Sequence, residues 1–264
     1  MVNKHPTPTR MSDTPAPGNL DITNFSVGAM LRAGIAVRQI VPDAASMESA
    51  AGLIVRYLYD NCVDPTSGQR TCMLVRFYKT HRYGGLEPDL QHFADLQLGD
   101  VVPDDEMRCL ALLASAGDEP GWNSRHASEA HQAIPLPSAD IVRRAPMIAR
   151  LIEALGLDIE SVVRGNAPSE RPGDARNYDV FHVEDARDSR HVPAQADFVA
   201  RYGVASVVGF GGLLRSGELF AVMLFSRSTI PVASAERFRP IALDIRSALY
   251  ALDEDRTWAS DIQV

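Results

Sequence analysis

The chain has few cysteines and no long apolar run. Its 264 residues include three cysteines, Cys62, Cys72 and Cys109, and no C-x-x-C pair. An odd number of widely spaced cysteines does not form a disulfide framework, so we expect a reducing, cytoplasmic location. No apolar run approaches the roughly 18 residues of a membrane-spanning helix, and the first residues lack the apolar core of a signal peptide. We therefore expect no membrane partner.

Basic charge is in the minority. The chain carries 26 Lys and Arg against 34 Asp and Glu, which gives a net charge of −8. This balance argues against a broad nucleic-acid footprint, so we expect no nucleic-acid partner. The apolar fraction of 45% is ordinary for a globular protein, and it supplies enough apolar side chains for a buried core.

The common enzyme motifs are absent. There is no G-x-S-x-G nucleophile elbow and no P-loop, and the glycines at 209, 211 and 212 precede a strand rather than a helix, unlike a dinucleotide loop. Cys72 and Cys109 lie in apolar segments, where a thiol behaves as a small hydrophobe. We expect no catalytic residue and no enzyme activity.

The histidines form no familiar metal motif. His126 and His131 flank Glu129, and a spacing of five residues puts the two imidazoles on different faces of a helix. A lone histidine is more often a hydrogen-bonded surface residue. We expect no metal ligand and the cofactor is unknown, although a haem or metal sensor, or a cofactor enzyme, stays open as an alternative.

The most informative segment is a predicted hairpin of two apolar strands, 204–214 and 219–225. Ser216 and Gly217 form the turn, where Gly supplies the positive φ of a tight hairpin. The second strand is apolar on both faces, so it lies mid-sheet with both faces covered or lines an apolar pocket. The glycines of the first strand mark either a bulge or a close approach to the backbone.

A helix is predicted after the hairpin, from Ala235 to Leu252. Ser234 is its predicted N-cap, and Pro240 either kinks the helix or occupies its first position. Apolar residues recur at helical spacing. They are Phe238, Ile241, Ala242, Ile245, Leu249 and Leu252.

Upstream, hydrophobic periodicity predicts four helices and three strands. The helices span 24–41, 46–61, 87–98 and 139–155, with Pro146 expected to kink the last, and the strands span 70–79, 107–114 and 178–183. Alternation in the first strand puts Cys72, Leu74, Arg76 and Tyr78 on one face. The order of elements predicts an α+β fold, an α/β sandwich on an antiparallel sheet.

The strand, Ser-Gly turn, apolar strand and closing helix over 176–252 resemble a GAF-type sensory domain, as found ahead of bacterial histidine kinases. The resemblance implies a GAF-like central antiparallel sheet with helices packed on one face and loops and short helices on the other. It also implies a ligand pocket under the loops, a homodimer formed through terminal helices, and a separate signalling output protein as a further partner. Because no kinase follows before Val264, we expect a stand-alone bacterial domain.

The expected organisation has four parts. Residues 1–23, rich in Pro, Thr and Ser, form a disordered arm, and residues 24–43 a dimerisation helix. Residues 44–252 form a single GAF-like domain with an insertion at about 117–176, within which 164–177 is a mobile linker. Residues 253–264 form a C-terminal tail.

The polar loop 117–131 is the expected centre of the site, because long loops in compact domains are often functional. The candidate ligand-binding residues are Arg76, Trp122, Arg125, His126, His131 and His182. Arg76 either binds an anionic ligand through charge-assisted hydrogen bonds or pairs with a neighbouring acid on the sheet. Trp122 is either a lid over the pocket or an exposed loop aromatic.

The expected function is that of a sensory or regulatory domain that binds a small-molecule ligand and signals through helix packing or partner contacts. One alternative is a non-enzymatic protein-interaction module with a filled core. A second is the haem or metal sensor, or cofactor enzyme, mentioned above. A hollow under the loop 117–131 favours the ligand, and a filled sheet face favours the interaction module.

Overall fold

The computed structural model describes residues 19–166, 180–253 and 257–259. Six antiparallel strands form one sheet in the order β3-β2-β1-β6-β5-β4. The strands are β1 (Cys72–Arg82), β2 (Arg108–Gly117), β3 (Ala133–Leu136), β4 (Phe181–Val183), β5 (Ser206–Leu213) and β6 (Leu219–Ser226). The predicted central antiparallel sheet is confirmed.

Helices cover both faces of this sheet. The helices are α1 (Val27–Ile40), α2 (Met47–Asn61), α3 (Pro88–Leu98), α4 (Ala139–Arg143), α5 (Pro146–Ala154), α6 (Ile159–Arg164), α7 (Val232–Ala235) and α8 (Phe238–Leu249). One face packs against α1, α2, α3 and α8, and we call it the long-helix face. The other packs against α4, α5 and α6, and we call it the short-helix face. This arrangement confirms the predicted α+β sandwich. No helix of the described residues is long and apolar enough to span a membrane.

The predicted hairpin is present at the centre of the sheet. All residues of β5 and β6 are buried, and Gly217 has the positive φ (83°) that the turn requires. A Cβ atom on Gly209 would lie 2.7 Å from the Met223 sulfur and 3.0 Å from a methyl group of Leu151 in α5. The strand glycine therefore permits a close approach, here by the protein's own side chains.

Two predicted long helices are each divided in two. Pro146 lacks an N–H and occupies the first turn of α5, so the predicted helix 139–155 breaks at Ala145. The closing helix breaks between α7 and α8, and Pro240 lies in the first turn of α8. Ser234 is not its N-cap, because its hydroxyl instead accepts a hydrogen bond from the Phe25 backbone N–H at 3.0 Å.

One face assignment in β1 is wrong. Leu74, Arg76 and Tyr78 share the short-helix face as predicted, but Cys72 lies on the opposite face with Val75. The register between β1 and β6 shifts between Cys72 and Leu74, and such an irregularity reverses the alternation of side chains.

The ends of the predicted domain contribute to the core. Residues 1–18 of the expected arm and most of the expected linker 164–177 lie outside the described residues. Leu20 and Ile22 are fully buried, so the chain from residue 19 is part of the fold. Trp258, in the predicted tail, is 5% exposed and packs in the long-helix cluster.

Candidate functional site

Arg76 lies in the middle of β1 on the short-helix face, where it is only 8% exposed. Its Nη2 donates a hydrogen bond to the Ser128 hydroxyl at 3.0 Å. Its Nη1 donates to the Tyr78 hydroxyl at 3.2 Å and, more weakly, to the Ala130 carbonyl oxygen at 3.4 Å. All three acceptors are neutral, so the protein provides hydrogen bonds but no counter-charge at these atoms.

No carboxylate of the described residues forms an ion pair with Arg76. Its Nε atom is buried and makes no hydrogen bond. Ser115 is paired directly with Arg76 across β1 and β2, is 5% exposed, and its hydroxyl oxygen also lacks a partner. A buried cation normally has a paired anion, because desolvation of an uncompensated charge is costly. Arg76 Nε and the Ser115 hydroxyl are thus two buried polar groups without a hydrogen-bond partner among the described residues.

The loop 117–131 covers this pair. His131 has a left-handed backbone conformation with φ of 60°. Desolvation and then the neighbouring charge of Arg76 lower the pKa of His131 and favour its neutral imidazole, although the residue as a whole is exposed at the surface. The side-chain oxygen of Gln132, at the end of the loop, is buried without a partner. His131 therefore lies close enough to Arg76 for the charge of the guanidinium to affect the imidazole.

Trp122 packs against the sheet. A Cβ atom on Gly117 would lie 2.9 Å from its indole ring, and the ring meets Tyr202 edge-on with centroids 4.7 Å apart. Phe198 and Phe225 extend the same aromatic cluster. The indole is therefore part of a packed aromatic cluster, which differs from both alternatives left open by the sequence, a lid over a pocket and an exposed loop aromatic.

Arg125 and His126 belong to a separate cluster on the long-helix side. Arg125 is 3% exposed, and its Nε donates to Glu48 of α2 at 2.6 Å. Its other nitrogens contact Glu87 and, at 3.1 Å, Asp89, both at the start of α3. Burial alone would lower the pKa of Arg125, but the combined effect of the three carboxylates is larger, so the pKa is raised overall. The His126 imidazole is 3.2 Å from Asp89.

The same cluster holds the C-terminal segment 257–259. The Arg125 guanidinium lies over the Trp258 ring, 5.3 Å from its centroid. Glu48 receives the Ala259 backbone N–H at 2.9 Å, and its own backbone N–H donates to the Thr257 carbonyl oxygen at 2.9 Å. Arg125 is therefore a structural anchor between the loop, two helix starts and the C-terminal segment.

His182 lies away from both clusters. Its neighbours in β4, Phe181 and Val183, face the short-helix layer, so alternation turns His182 to the other face. Its Nε2 is 2.8 Å from the Ile230 carbonyl oxygen. The structure thus brings Arg76 and His131 together, with Trp122 on the same sheet face, and separates Arg125, His126 and His182 from them.

Sequence reasoning missed Ser115, Ser128 and Trp258. Ser115 directly follows the predicted strand 107–114, and its pairing with Arg76 required the strand register that only the structure provides. Ser128 and Trp258 carried no local signal, because their partners are 52 and 173 residues away in the chain.

The thiols of Cys72 and Cys109 are protonated at neutral pH. Cys62 and Cys72 are free, and both lie fully buried. The hydrogen bond that the Cys72 thiol donates to Cys62, together with burial, holds the pKa of Cys72 well above its ordinary value. Burial raises the pKa of Cys109 to about 12. Among the described residues there is no group of three or more His, Cys, Asp or Glu side chains that could hold a metal ion.

No family model matches the chain, and no curated protein matches it. Solved structures do match. The chain is similar to free methionine-R-sulfoxide reductase from Neisseria meningitidis in complex with its substrate, with 9% sequence identity, a TM-score of 0.45, and coverage of 85% of this chain and 90% of that chain. The chain is also similar to the GAF domain of a phosphoenolpyruvate-protein phosphotransferase from Coxiella burnetii. The sequence identity is 10%, the TM-score is 0.44, and the match covers 84% of this chain and 93% of that chain.

A third similar structure is the phycoerythrobilin-bound GAF domain of a cyanobacterial phytochrome, with 10% identity, a TM-score of 0.43, and coverage of 84% of this chain and 94% of that chain. The chain has a GAF-like fold. The likeness concerns the fold alone, and the prediction of a GAF-like central sheet is confirmed at that level.

The prediction that this GAF-like domain is not an enzyme is wrong. It was based on missing motifs, whereas the similar structures include an enzyme, the methionine-R-sulfoxide reductase. One fold can carry both binding and catalytic sites, so the absence of common motifs does not exclude an activity.

Proposed function

We propose that this GAF-like domain binds a small oxyanion, a carboxylate or a phosphate, at Arg76. The observation that carries the proposal is the buried guanidinium without a carboxylate partner among the described residues. An anion at this position would supply the missing counter-charge. It would also give an acceptor to Nε and to the Ser115 hydroxyl, which both lack a partner.

The geometry of arginine favours this class of ligand. Nε and Nη2 lie on one edge of the planar guanidinium, and a carboxylate or phosphate binds such an edge through two parallel hydrogen bonds. Nε is unpartnered, and Nη2 has only the Ser128 hydroxyl as acceptor.

A thermal-shift screen tests the proposal. Acetate, succinate, phosphate and sulfate are compared at equal ionic strength with sodium chloride, glucose and an alkylamine. We expect at least one oxyanion to stabilise the protein, since a ligand at about 100 times its Kd adds roughly 2.7 kcal/mol. Comparison of the carboxylates, acetate and succinate, with phosphate shows which of the two classes of oxyanion binds.

Arg76→Met is the matched variant. We expect it to abolish the oxyanion shift, and Arg56→Met, which changes a half-exposed arginine of α2, to keep it. A shift of equal size in the Arg76→Met protein, or no shift with any oxyanion, would rule out this site.

Arg76→Met is also expected to stabilise the ligand-free protein, by about 1–4 kcal/mol, because methionine removes a buried charge that lacks a partner. Urea unfolding of the wild type and the variant without added anions measures the difference. If Arg76 had only a structural role, the variant would be less stable than the wild type. The sign of the change therefore separates a binding role from a structural one.

Self-association through α1 is the second part of the proposal. Val27, Leu31 and Ile35 are spaced four residues apart on the outer face of α1, and they are 56%, 57% and 47% exposed. An apolar stripe of this kind suits a helix-to-helix contact with a second copy, consistent with the expected homodimer. The cytoplasmic location and the separate output partner remain parts of this proposal.

Leu31→Glu is expected to shift a dimer to a monomer in light scattering after size-exclusion chromatography, because a charge in an apolar contact is costly. Leu96→Glu is the control, since Leu96 is 67% exposed on α3, away from the stripe. Equal masses for the wild type and the Leu31→Glu variant would contradict a contact through α1.

A further inference from the structure

Gln132, the residue that follows the loop 117–131, has a buried side-chain amide that is only half satisfied. Gln132 is 2% exposed, and its Nε2 donates a hydrogen bond to the Ser128 carbonyl oxygen. The opposite orientation of the amide would place its oxygen against that carbonyl oxygen, so Nε2 must face Ser128. The amide oxygen Oε1 is therefore a buried acceptor without a hydrogen-bond partner among the described residues.

Ser128 connects this amide to Arg76. The Ser128 hydroxyl accepts from Arg76 Nη2 at 3.0 Å, whereas the Ser128 carbonyl oxygen accepts from Gln132. Arg76 Nη1 also contacts the carbonyl oxygen of Ala130, two residues before Gln132, at 3.4 Å. The guanidinium and the Gln132 amide therefore lie against the same short stretch of chain, residues 128–132.

The unsatisfied groups beside this stretch are of two kinds. Arg76 Nε is a donor and the Ser115 hydroxyl can donate, but Gln132 Oε1 can only accept. A simple oxyanion such as acetate or sulfate accepts from the two donors and leaves Oε1 unsatisfied, because it has no hydrogen to give. A buried acceptor without a partner costs free energy, so the site favours a ligand that also supplies a donor.

We propose that the oxyanion bound at Arg76 carries its own hydroxyl group, which donates a hydrogen bond to Gln132 Oε1. This inference rests on the proposed function and narrows its ligand class to hydrogen phosphate and small 2-hydroxycarboxylates. Both combine an anionic edge for the guanidinium with a neutral O–H group. An ammonium group is also a donor, but it would bring a second positive charge next to Arg76, whose hydrogen-bond acceptors are all neutral.

Matched pairs of anions test the proposal by isothermal titration calorimetry at constant ionic strength. Glycolate is compared with acetate, and lactate with propionate, since the members of each pair have the same charge and differ by one hydroxyl group. Phosphate is compared with sulfate at pH 7, because phosphate keeps a proton there and sulfate has none. We expect the hydroxyl-bearing member to bind about tenfold tighter in at least one pair, and the preferred pair shows which class the site takes.

Glycine is the comparison for the charge of the donor. It has an ammonium group where glycolate has its hydroxyl group, so the two ligands differ in the charge placed beside Arg76. We expect glycine to bind more weakly than glycolate.

Gln132→Met is the test variant, because methionine has a similar volume but no amide oxygen. We expect the affinities within the preferred pair to become equal within about twofold. Gln97→Met is the matched control, since Gln97 of α3 donates its Nε2 hydrogen to the carbonyl oxygen of Ala133, the residue after Gln132. We expect this control to keep the preference. A general loosening of the loop weakens both members of a pair alike, so the ratio separates a ligand contact from a structural role.

The outcomes separate this inference from the proposed function. If oxyanions bind without a preference for the hydroxyl-bearing members, or if glycine binds as tightly as glycolate, the inference is wrong and the proposed function stands. If no oxyanion binds, both are wrong. A preference that persists in Gln132→Met assigns the hydroxyl group to another acceptor and overturns the role of Gln132. The wild-type comparison needs no variant, so it decides on the hydroxyl group even if Gln132→Met is unstable.

Discussion

Phe220→Ala is expected to lower the free energy of unfolding by about 3–5 kcal/mol, because it removes a large side chain from a rigid core. Phe220 is fully buried in β6, with strands on both sides, and it stacks on Phe77 with ring centroids 5.7 Å apart. The side chain belongs to the densely packed long-helix cluster, so collapse of the neighbours fills the cavity only in part. Urea unfolding followed by circular dichroism measures the loss.

Val102→Ala is the control for this experiment. Val102 is 88% exposed, so its truncation is expected to change stability by less than about 0.5 kcal/mol. A loss below about 1 kcal/mol for Phe220→Ala would contradict the central position of β6. An equal slope of the unfolding free energy against urea concentration in the wild type and the variants is the check that the same two states are compared.

Arg125→Met is expected to cost about 2–4 kcal/mol, because it leaves the carboxylates that Arg125 binds without their cation. The side chains of Glu48 and Glu87 are only 15% and 19% exposed. The Asp89 side chain is 40% exposed and can be solvated by water, which keeps the expected loss below that of a fully buried pair. The variant also loses the contact with Trp258.

Arg82→Met is the matched control, since Arg82 binds Glu106 with both side chains more than half exposed. Exposed ion pairs contribute about 0–1 kcal/mol, so the two arginines are expected to differ clearly in urea unfolding at pH 7. Equal losses for Arg125→Met and Arg82→Met would show that the Arg125 cluster adds no more than a surface pair.

The helix starts and the hairpin could be predicted because their signals are local. The predicted helix 46–61 begins with Ser46, a typical N-cap residue, and its hydroxyl accepts from the Ser49 backbone N–H at 3.1 Å. Gly217 provides the positive φ of the hairpin turn. The breaks at Ala145 and between α7 and α8 were less visible, because a proline signals either a kink or a helix start, and packing decides between them.

The candidate site could be predicted only in part. Loop composition indicated His131 and Trp122, and strand alternation placed Arg76 on a mixed face. The same reasoning grouped Arg125 and His126 with them, since all four of the loop residues share one polar segment. The structure turns Arg125 the other way, because Glu48, Glu87 and Asp89 offer three carboxylates on the far side of the loop.

The sequence alone determined most of the helices and strands and the apolar nature of β5 and β6, because periodicity and turn chemistry act over a few residues. Only the tertiary structure decided which polar groups meet. The pairing of Arg76 with Ser115 depends on the register of two strands. The contact of Arg125 with Trp258 joins residues that are 133 positions apart in the chain. Long-range pairing is set by the packing of the whole core, which no local pattern encodes.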